Sequence, residues 1–168
     1  MTAAVQPAGP ASAVPFLLAK PDEGASPAAT PHLFKAQAAE TGGRFDFMTA
    51  TYAPMTGPPL HLHREQDDSF YVLDGILTVQ VGDDVFDIGT GDFLSIPPGT
   101  PHSFDNLHNG GRPVHALNVM TPGGFFPMFD EMGRQEEGPD LAERMSQVTQ
   151  KYGTVILGPP LRVQLGLA

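Results

Sequence analysis

The stretch that most constrains the fold runs from residue 57 to residue 75 and reads GPPLHLHREQDDSFYVLDG. His61 and His63 are separated by one residue, so in a β-strand both side chains point to the same side. An acidic cluster follows and ends at Asp68, just before an apolar run with the composition of a second strand. Imidazole and carboxylate groups that converge on one point are the donors that a borderline divalent cation binds. The spacing therefore predicts a metal site built on strands.

A second stretch, residues 91–106, reads GDFLSIPPGTPHSFDN. Pro98-Gly99 suits the two central positions of a type II turn, because proline presets φ and glycine supplies a positive φ. The turn predicts that one strand ends near Ile96 and that the next strand begins near Pro101. His102 lies at the start of this next strand, and Phe104 shares its face.

The two stretches together resemble the cupin superfamily. In the first stretch the matching residues are Gly57, His61, His63, Asp68 and Gly75, and in the second they are Gly91, Pro97, Gly99, His102 and Asn106. The resemblance covers residues 43–121, and the C-terminal helices and Gly158–Leu161 are similar to flavonol-dioxygenase-like monocupins. Two features depart from the family pattern: three residues instead of five separate Gly57 from His61, and Asp68 stands where most members have glutamate.

The resemblance implies an all-β fold, the cupin double-stranded β-helix (jelly-roll) barrel, with short C-terminal helices. It also implies one divalent metal ion per subunit, held by His61, His63, Asp68 and His102. Fe, Mn, Ni, Co and Zn all accept this donor set, so the sequence leaves the metal open. Asp68 is one methylene shorter than glutamate, and two roles stay open for it: metal ligand, or a base that stands off the metal.

The composition narrows the classes of partner. The 168 residues carry a formal net charge of −10, which disfavours phosphate backbones and anionic membrane surfaces, so we expect neither nucleic acid nor membrane as a partner. The chain has no cysteine, so a metal site must use nitrogen and oxygen donors. No apolar run approaches membrane-spanning length and no signal peptide is apparent, which predicts a cytoplasmic protein.

Turn signals and changes of period divide the chain into three parts. Residues 1–31 are rich in Ala, Pro, Ser and Gly, and predict a flexible N-terminal arm whose apolar patch, residues 14–18, docks on a sheet. Residues 32–121 predict the barrel core, with short strands at regular spacing. Residues 122–168 predict two helices, the second with Pro139 as its first residue, and a final strand from Thr154 to Leu157 that packs on the barrel. In small cupins such arms often pair with a partner subunit, so the resemblance implies a homodimer.

The parity of the strands predicts which side chains line the pocket. Phe70, Val72 and Phe104 share the face of the ligands, and Met55 lies in the loop before them. We assign Phe70, Phe104 and Met55 to substrate binding. The helix over residues 125–132 either caps the barrel mouth or packs outside it.

Three histidines fall outside both motifs, and one of them, His108, lies in a predicted turn at residues 108–111. His32 follows Pro31 and is expected at the surface, and His115 is expected to be structural or exposed.

Three functions are compatible with these features. The first is a metal-dependent dioxygenase similar to monocupin quercetin 2,3-dioxygenases, which cleave a flavonol with O2; there Asp68 is the general base, and a small aromatic molecule is the substrate. The second is a non-oxidative isomerase, lyase, decarboxylase or aromatic polyketide cyclase that uses the metal as a Lewis acid. The third is a non-enzymatic cupin that binds a small molecule. The barrel alone does not choose among them, since one fold hosts many chemistries.

Overall fold

The computed structural model describes residues 16–28 and 30–167, and these form two five-stranded antiparallel sheets packed face to face. The first sheet has the strand order β1-β2-β9-β4-β7, and the second has the order β10-β3-β8-β5-β6. The strands of the first sheet are β1 (His32–Ala36), β2 (Asp46–Tyr52), β4 (Asp67–Asp74), β7 (Phe93–Ile96) and β9 (Val114–Thr121). Those of the second are β3 (Pro59–His63), β5 (Ile76–Val81), β6 (Asp84–Gly89), β8 (His102–Asp105) and β10 (Thr154–Pro160).

Within residues 16–28 and 30–167, four helices accompany the sheets: α1 (Ala38–Thr41), α2 (Phe126–Gly133), α3 (Leu141–Lys151) and α4 (Leu161–Gln164). The all-β barrel with short C-terminal helices is therefore confirmed. In the described part of the chain, none of these helices is long and apolar enough to cross a membrane.

The alternation of buried and exposed residues explains how the sheets face each other. The pattern is clearest in β2 and β9, where every second side chain is buried, and in β9 the inward positions are Val114, Ala116, Asn118 and Met120. One side of each strand thus enters the space between the sheets, as expected for antiparallel sheets that pack on a common core. The core has two parts: a barrel interior around Phe70, Leu77 and Phe104, and a second cluster in which α2 covers Phe34, Met48 and Met120.

Several boundaries differ from the sequence-based expectations. The segment between the first two strands contains α1, which ends at Gly42 with φ 65°, a left-handed conformation suited to glycine. Helix α3 begins at Leu141, so the assignment of Pro139 as its first residue was wrong; Asp140 is the residue that flanks the helix start. The final strand continues through Gly158 to Pro160 and pairs with β3, so it is a member of the second sheet.

The N-terminal arm lies only partly within the described residues. Val14 lies outside them, and Phe16, Leu17 and Leu18 are 41–50% exposed, so docking of the apolar patch on a sheet stays a prediction. Farther along, Ala25 forms an isolated antiparallel bridge to Phe34 in β1. The homodimer implied by the arm stays a prediction.

The C-terminal segment is fixed to the barrel by an ion pair between the buried Asp105 and the partly exposed Arg162. The Asp105 side chain is fully buried, and its carboxylate accepts hydrogen bonds from the Arg162 backbone N–H at 3.0 Å and from Arg162 Nη1 at 3.0 Å. The same guanidinium donates to the carbonyl oxygen of Gly57 at 3.2 Å. Gly57 packs so closely on β8 that a Cβ there would collide with the Phe104 carbonyl oxygen, which explains the glycine at this position.

A second buried carboxylate fixes helix α2. Asp46 is fully buried and accepts three backbone hydrogen bonds, from Ala38 N–H at 2.6 Å, Gly124 N–H at 2.8 Å and Phe125 N–H at 2.6 Å. Since Phe125 precedes the first residue of α2, Asp46 sets the position of this helix over the end of the barrel. The carboxylate and its three donors would each lose a buried partner if the interaction were removed.

We therefore expect Asp46→Ala to lower the free energy of unfolding by about 3 kcal/mol, because it leaves buried N–H groups without an acceptor. Urea denaturation followed by circular dichroism measures the change. Asp83→Ala is the matched control, since Asp83 is exposed in the β5–β6 turn and its removal should cost less than about 0.5 kcal/mol. Equal urea concentrations at the midpoint of unfolding for the two variants would contradict the stabilising role of Asp46.

Candidate metal centre

Side chains from both sheets converge in the interior. His61 and His63 come from β3 and His102 from β8, in the second sheet, whereas Asp68 comes from β4 in the first sheet. His61 and His102 are directly opposite each other in the antiparallel register. One nitrogen of each imidazole and one oxygen of the carboxylate all lie within 4.8 Å of one another. All four residues are buried, with exposed fractions from 1% for His102 to 7% for His61.

Hydrogen bonds fix which ring nitrogen faces the others. Nδ1 of His61 lies 2.8 Å from the Pro59 carbonyl oxygen, and Nδ1 of His102 lies 2.8 Å from the Thr100 carbonyl oxygen. Because a carbonyl only accepts, Nδ1 carries the proton in both rings. Burial, together with the neighbouring His102 and His63, lowers the pKa of His61 to about 3, so this ring is neutral. A neutral ring with the proton on Nδ1 presents an unprotonated Nε2, the form in which imidazole binds a metal.

His63 is oriented by the C-terminal strand. The β10–β3 register places Thr154 opposite His63, and the Thr154 hydroxyl lies 2.9 Å from His63 Nδ1. Phe125 packs edge-on against the same imidazole, with ring centroids 4.7 Å apart. Thr154 was not predicted as a member of the site, although a polar residue at a buried position of a strand is a signal that indicates such a role.

Asp68 is held by the first sheet. Asn118, on the neighbouring strand β9, donates a hydrogen bond from Nδ2 to Asp68 Oδ1 at 2.6 Å and a second to the Ser69 carbonyl at 3.1 Å. The other carboxylate oxygen, Oδ2, lies 3.3 Å from His102 Nε2 and 3.5 Å from His63 Nε2. Asn118 was also missed, and its signal was the same: an amide at an inward position between Ala116 and Met120.

The negative charge of Asp68 favours the binding of a cation between this carboxylate and the imidazoles. Burial alone would raise the pKa of Asp68, but positive charge or N–H groups presented by His102 and His63 outweigh burial and hold this pKa below its usual value. Asp68 is therefore a carboxylate. Its Oδ2 faces two Nε2 atoms, and acceptors at these distances repel one another unless a proton or a metal ion lies between them.

The spacing of the donor atoms also fits a metal ion. Two ligand atoms that bind one ion at about 2.1 Å in a tetrahedral arrangement lie about 3.4 Å apart. The distances from Asp68 Oδ2 to the two imidazoles, 3.3 and 3.5 Å, match that separation. The shorter side chain of aspartate thus still reaches the point at which the imidazoles meet.

The four side chains lie beside a cavity of about 480 Å³. His61, His63 and Asp68 line it directly, whereas His102 lies behind them and is almost fully buried. Most of the wall is apolar and comes from Phe70, Phe104, Met120, Phe125, Met128 and Phe129. Helix α2 covers one side, which favours the first of the two positions expected for it, the cap of the barrel mouth.

Three expectations about this cavity were wrong. Met55 does not line it: this residue is 40% exposed, because its left-handed conformation (φ 58°) directs the loop so that Tyr52, Ala53 and Thr56 face the cavity instead. Val72 is fully buried in the barrel interior and does not reach the cavity wall. His32, expected at the surface, is only 8% exposed and lines the cavity.

The remaining pocket assignments agree with the structure. Phe70 and Phe104 line the cavity, and their rings pack edge to face with centroids 5.0 Å apart.

His115 is exposed on the outer side of β9, where its Nδ1 lies 3.1 Å from the Thr51 hydroxyl.

Comparisons with known proteins agree with this architecture. Residues 48–120 match the cupin domain family. The crystal structure of a predicted oxalate decarboxylase from Thermotoga maritima superimposes with a TM-score of 0.51 at 20% identity, over 54% of this chain and 78% of that chain. The two-sheet barrel and the His-x-His motif agree with the domain match, which supports the cupin superfamily for residues 48–120.

Curated relatives match over shorter segments. Quercetin 2,3-dioxygenase of Bacillus subtilis is 31% identical over 78 residues, which are 46% of this chain and 22% of that protein. The protein named oxidoreductase iacF from Pestalotiopsis fici is 47% identical over 53 residues, or 31% of this chain and 26% of that protein. An uncharacterized protein of Methanocaldococcus jannaschii is 34% identical over 63 residues, or 38% of this chain and 49% of that protein. The chain thus spans less than half the length of each of these relatives.

Replacing His61 and His63 together by alanine should abolish metal binding while the barrel still folds, because half of the donor atoms are lost and the hydrogen bonds between backbone groups of β3 and its neighbouring strands remain. Metal content after reconstitution and gel filtration, measured by inductively coupled plasma mass spectrometry, tests this expectation. The double variant His108→Ala/His115→Ala is the matched control, since both of its histidines are exposed. Stoichiometric metal in the His61/His63 variant would disprove the assignment.

Asn118→Leu should weaken metal binding about 10- to 100-fold, because Asp68 loses the hydrogen bond that orients its carboxylate. Competition with a chelator of known affinity measures the dissociation constant. Asn118→Asp tests the direction of the hydrogen bond, since a second carboxylate cannot donate to Asp68 Oδ1. Wild-type metal affinity in Asn118→Leu would show that Asp68 is positioned without Asn118.

Proposed function

We propose that this chain is a metal-dependent enzyme whose cofactor is one divalent ion bound by His61, His63, Asp68 and His102. The observation that carries the proposal is the buried carboxylate oxygen that faces two imidazole nitrogens at 3.3 and 3.5 Å. Three neutral imidazoles and one carboxylate would leave a divalent ion with a net charge of +1. When bound, such an ion supplies Lewis-acid stabilisation of negative charge on a substrate oxygen.

The proposed substrate is a flat aromatic molecule, and the specific candidate is a flavonol such as quercetin, cleaved with O2. The phenylalanine and methionine side chains of the cavity offer apolar contact to aromatic rings, and about 480 Å³ is within the range of small-molecule sites. The similarity to the Bacillus quercetin 2,3-dioxygenase, 31% identity over 46% of this chain, supports the same candidate.

Asp68 is the proposed acceptor for a substrate proton. Among the described residues it is the one carboxylate that lines the cavity. Its low pKa means that it is ionised when the substrate arrives, and Asn118 fixes Oδ1 so that Oδ2 is the oxygen directed at the other donors. Phe70 and Phe104 are the proposed contacts for the substrate rings, on the wall next to Asp68.

A non-oxidative isomerase, lyase or aromatic polyketide cyclase is the second candidate. It uses the same donors and the same carboxylate, since a Lewis acid and one base suffice to move a proton next to a carbonyl group. The aspartate at position 68, where most similar cupins have glutamate, is the observation that favours it. The two candidates differ in whether O2 is consumed.

The test is O2 uptake on addition of quercetin to samples reconstituted separately with Fe(II), Mn, Co, Ni and Zn. The dioxygenase predicts uptake that matches quercetin loss and carbon monoxide release in at least one sample. Absence of uptake in every metal-loaded sample would reject the dioxygenase. Screening of aromatic ketones and polyketides under nitrogen then tests the non-oxidative candidate, and binding without turnover would indicate a non-enzymatic cupin.

Asp68→Asn should lower turnover about 10²- to 10⁴-fold, because the amide cannot accept a proton. Metal content is measured in the same samples, so that loss of the base is separated from loss of the cofactor. Asp67→Asn is the matched control, because the Asp67 carboxylate is next to Asp68 in the chain but is half-buried and does not line the cavity. Unchanged turnover in metal-loaded Asp68→Asn would show that another group takes the proton.

A further inference from the structure

A second polar pair lines the cavity. It consists of His32 and Tyr52, on the adjacent strands β1 and β2. Both side chains are more than nine-tenths buried, with exposed fractions of 8% and 3%. The Tyr52 hydroxyl lies 3.4 Å from His32 Nε2, and neither side chain forms a hydrogen bond with the four clustered donors. Apolar rings surround the pair: Phe129 packs on His32 at 4.7 Å, and Phe104 packs on Tyr52 at 5.0 Å between centroids.

His32 and Tyr52 together carry two side-chain hydrogens that can be donated, but only one hydrogen bond joins them. A neutral imidazole carries one N–H, and the phenol carries one O–H. The single bond between them uses one of these two hydrogens, whichever group donates. In the described part of the chain, no other side-chain hydrogen bond is formed by either residue. One buried donor therefore remains without an acceptor, which costs about 1–3 kcal/mol unless a ligand or water accepts it.

The unpaired donor is the Tyr52 hydroxyl. His32 Nδ1 is sealed from solvent and has no partner among the described residues, and an orphaned buried N–H is rarer in proteins than an orphaned acceptor. This favours the ring form with the hydrogen on Nε2, where it donates to the Tyr52 oxygen. The phenolic hydrogen is then free for an acceptor in the cavity that Tyr52 lines.

The ionisation of both groups agrees with this arrangement. Burial, together with the negative charge of Asp68, raises the pKa of Tyr52, so the hydroxyl keeps its hydrogen. Burial lowers the pKa of His32 to about 4, and Asp68 offsets only part of this change, so the ring is neutral near pH 7. Tyr52 is therefore a donor and His32 is its orienting partner.

We propose that Tyr52, positioned by His32, donates a hydrogen bond to an oxygen of the substrate. The cavity then selects aromatic substrates with two oxygen functions: one at the clustered donors and a second hydroxyl or carbonyl group at Tyr52. The inference deepens the proposed function, because it rests on an aromatic molecule occupying this cavity, but it requires neither O2 nor turnover.

The test measures binding to the Zn(II)-loaded protein by calorimetry, with naphthalene and 2,6-dihydroxynaphthalene as probes of similar shape. Wild-type protein should prefer the diol, and Tyr52→Phe should reduce this preference about 3- to 10-fold, the effect of one lost neutral hydrogen bond. Tyr71→Phe is the matched control, since Tyr71 is exposed on the opposite side of β4 from Phe70 and lies outside the cavity.

Variants of His32 test whether it acts through Tyr52. His32→Leu should reduce the preference for the diol. His32→Gln should retain the preference, because its amide N–H can donate to the Tyr52 oxygen. In a Tyr52→Phe background, His32→Leu should have no further effect on the preference. Additive effects, or equal weakening of both probes, would assign the pair a packing role and overturn the inference.

Three further outcomes are decisive. An unchanged preference in Tyr52→Phe, or a wild-type protein that binds no diol, overturns the proposed hydrogen bond. A Tyr52-dependent preference in a protein that consumes no O2 with quercetin would reject the dioxygenase and retain this inference.

Discussion

The structure depends on one electrostatic requirement: a buried carboxylate and three buried imidazoles must share a positive charge. Asp68 Oδ2 lies 3.3 Å from His102 Nε2, and the ring hydrogens of His61 and His102 are already donated to backbone carbonyls. Removing these groups from water is costly unless a proton or a metal ion neutralises them. Both sheets contribute to the cluster, so a cation bound there would also join the two halves of the barrel.

The surroundings of the cluster make its polar groups effective. Phenylalanine and methionine side chains form most of the cavity wall, and in such an apolar enclosure each hydrogen bond and charge acts more strongly than in water. Asp46 fixes the α2 end of this wall through backbone N–H groups, and Phe125, one of its partners, packs on His63. The packing of a helix is thereby coupled to the orientation of a donor.

The four clustered residues were predictable because the period of a β-strand places alternate side chains on one face, and the motif spacing indicated the fold. Positions whose environment depends on the neighbouring strand were not predictable in this way. His32 was assigned to the surface because it follows a proline, yet β1 pairs with β2 and turns His32 inward with Phe34. The predicted positions of Met55 and Val72 in the cavity wall were wrong for a related reason. The alternation of side chains along a strand specifies neither the conformation of a loop nor the depth of a residue in the barrel.

By itself the sequence determined the local geometry: which residues share a strand face, where glycine and proline end the strands, and which donor types a metal would meet. The tertiary structure alone decided how those faces meet. Asn118 orients Asp68 across a separation of 50 residues, and Thr154 orients His63 across 91. Such contacts form only when the two sheets stack, because strand pairing and sheet packing join segments that are distant in the chain, and local pattern carries no information about them.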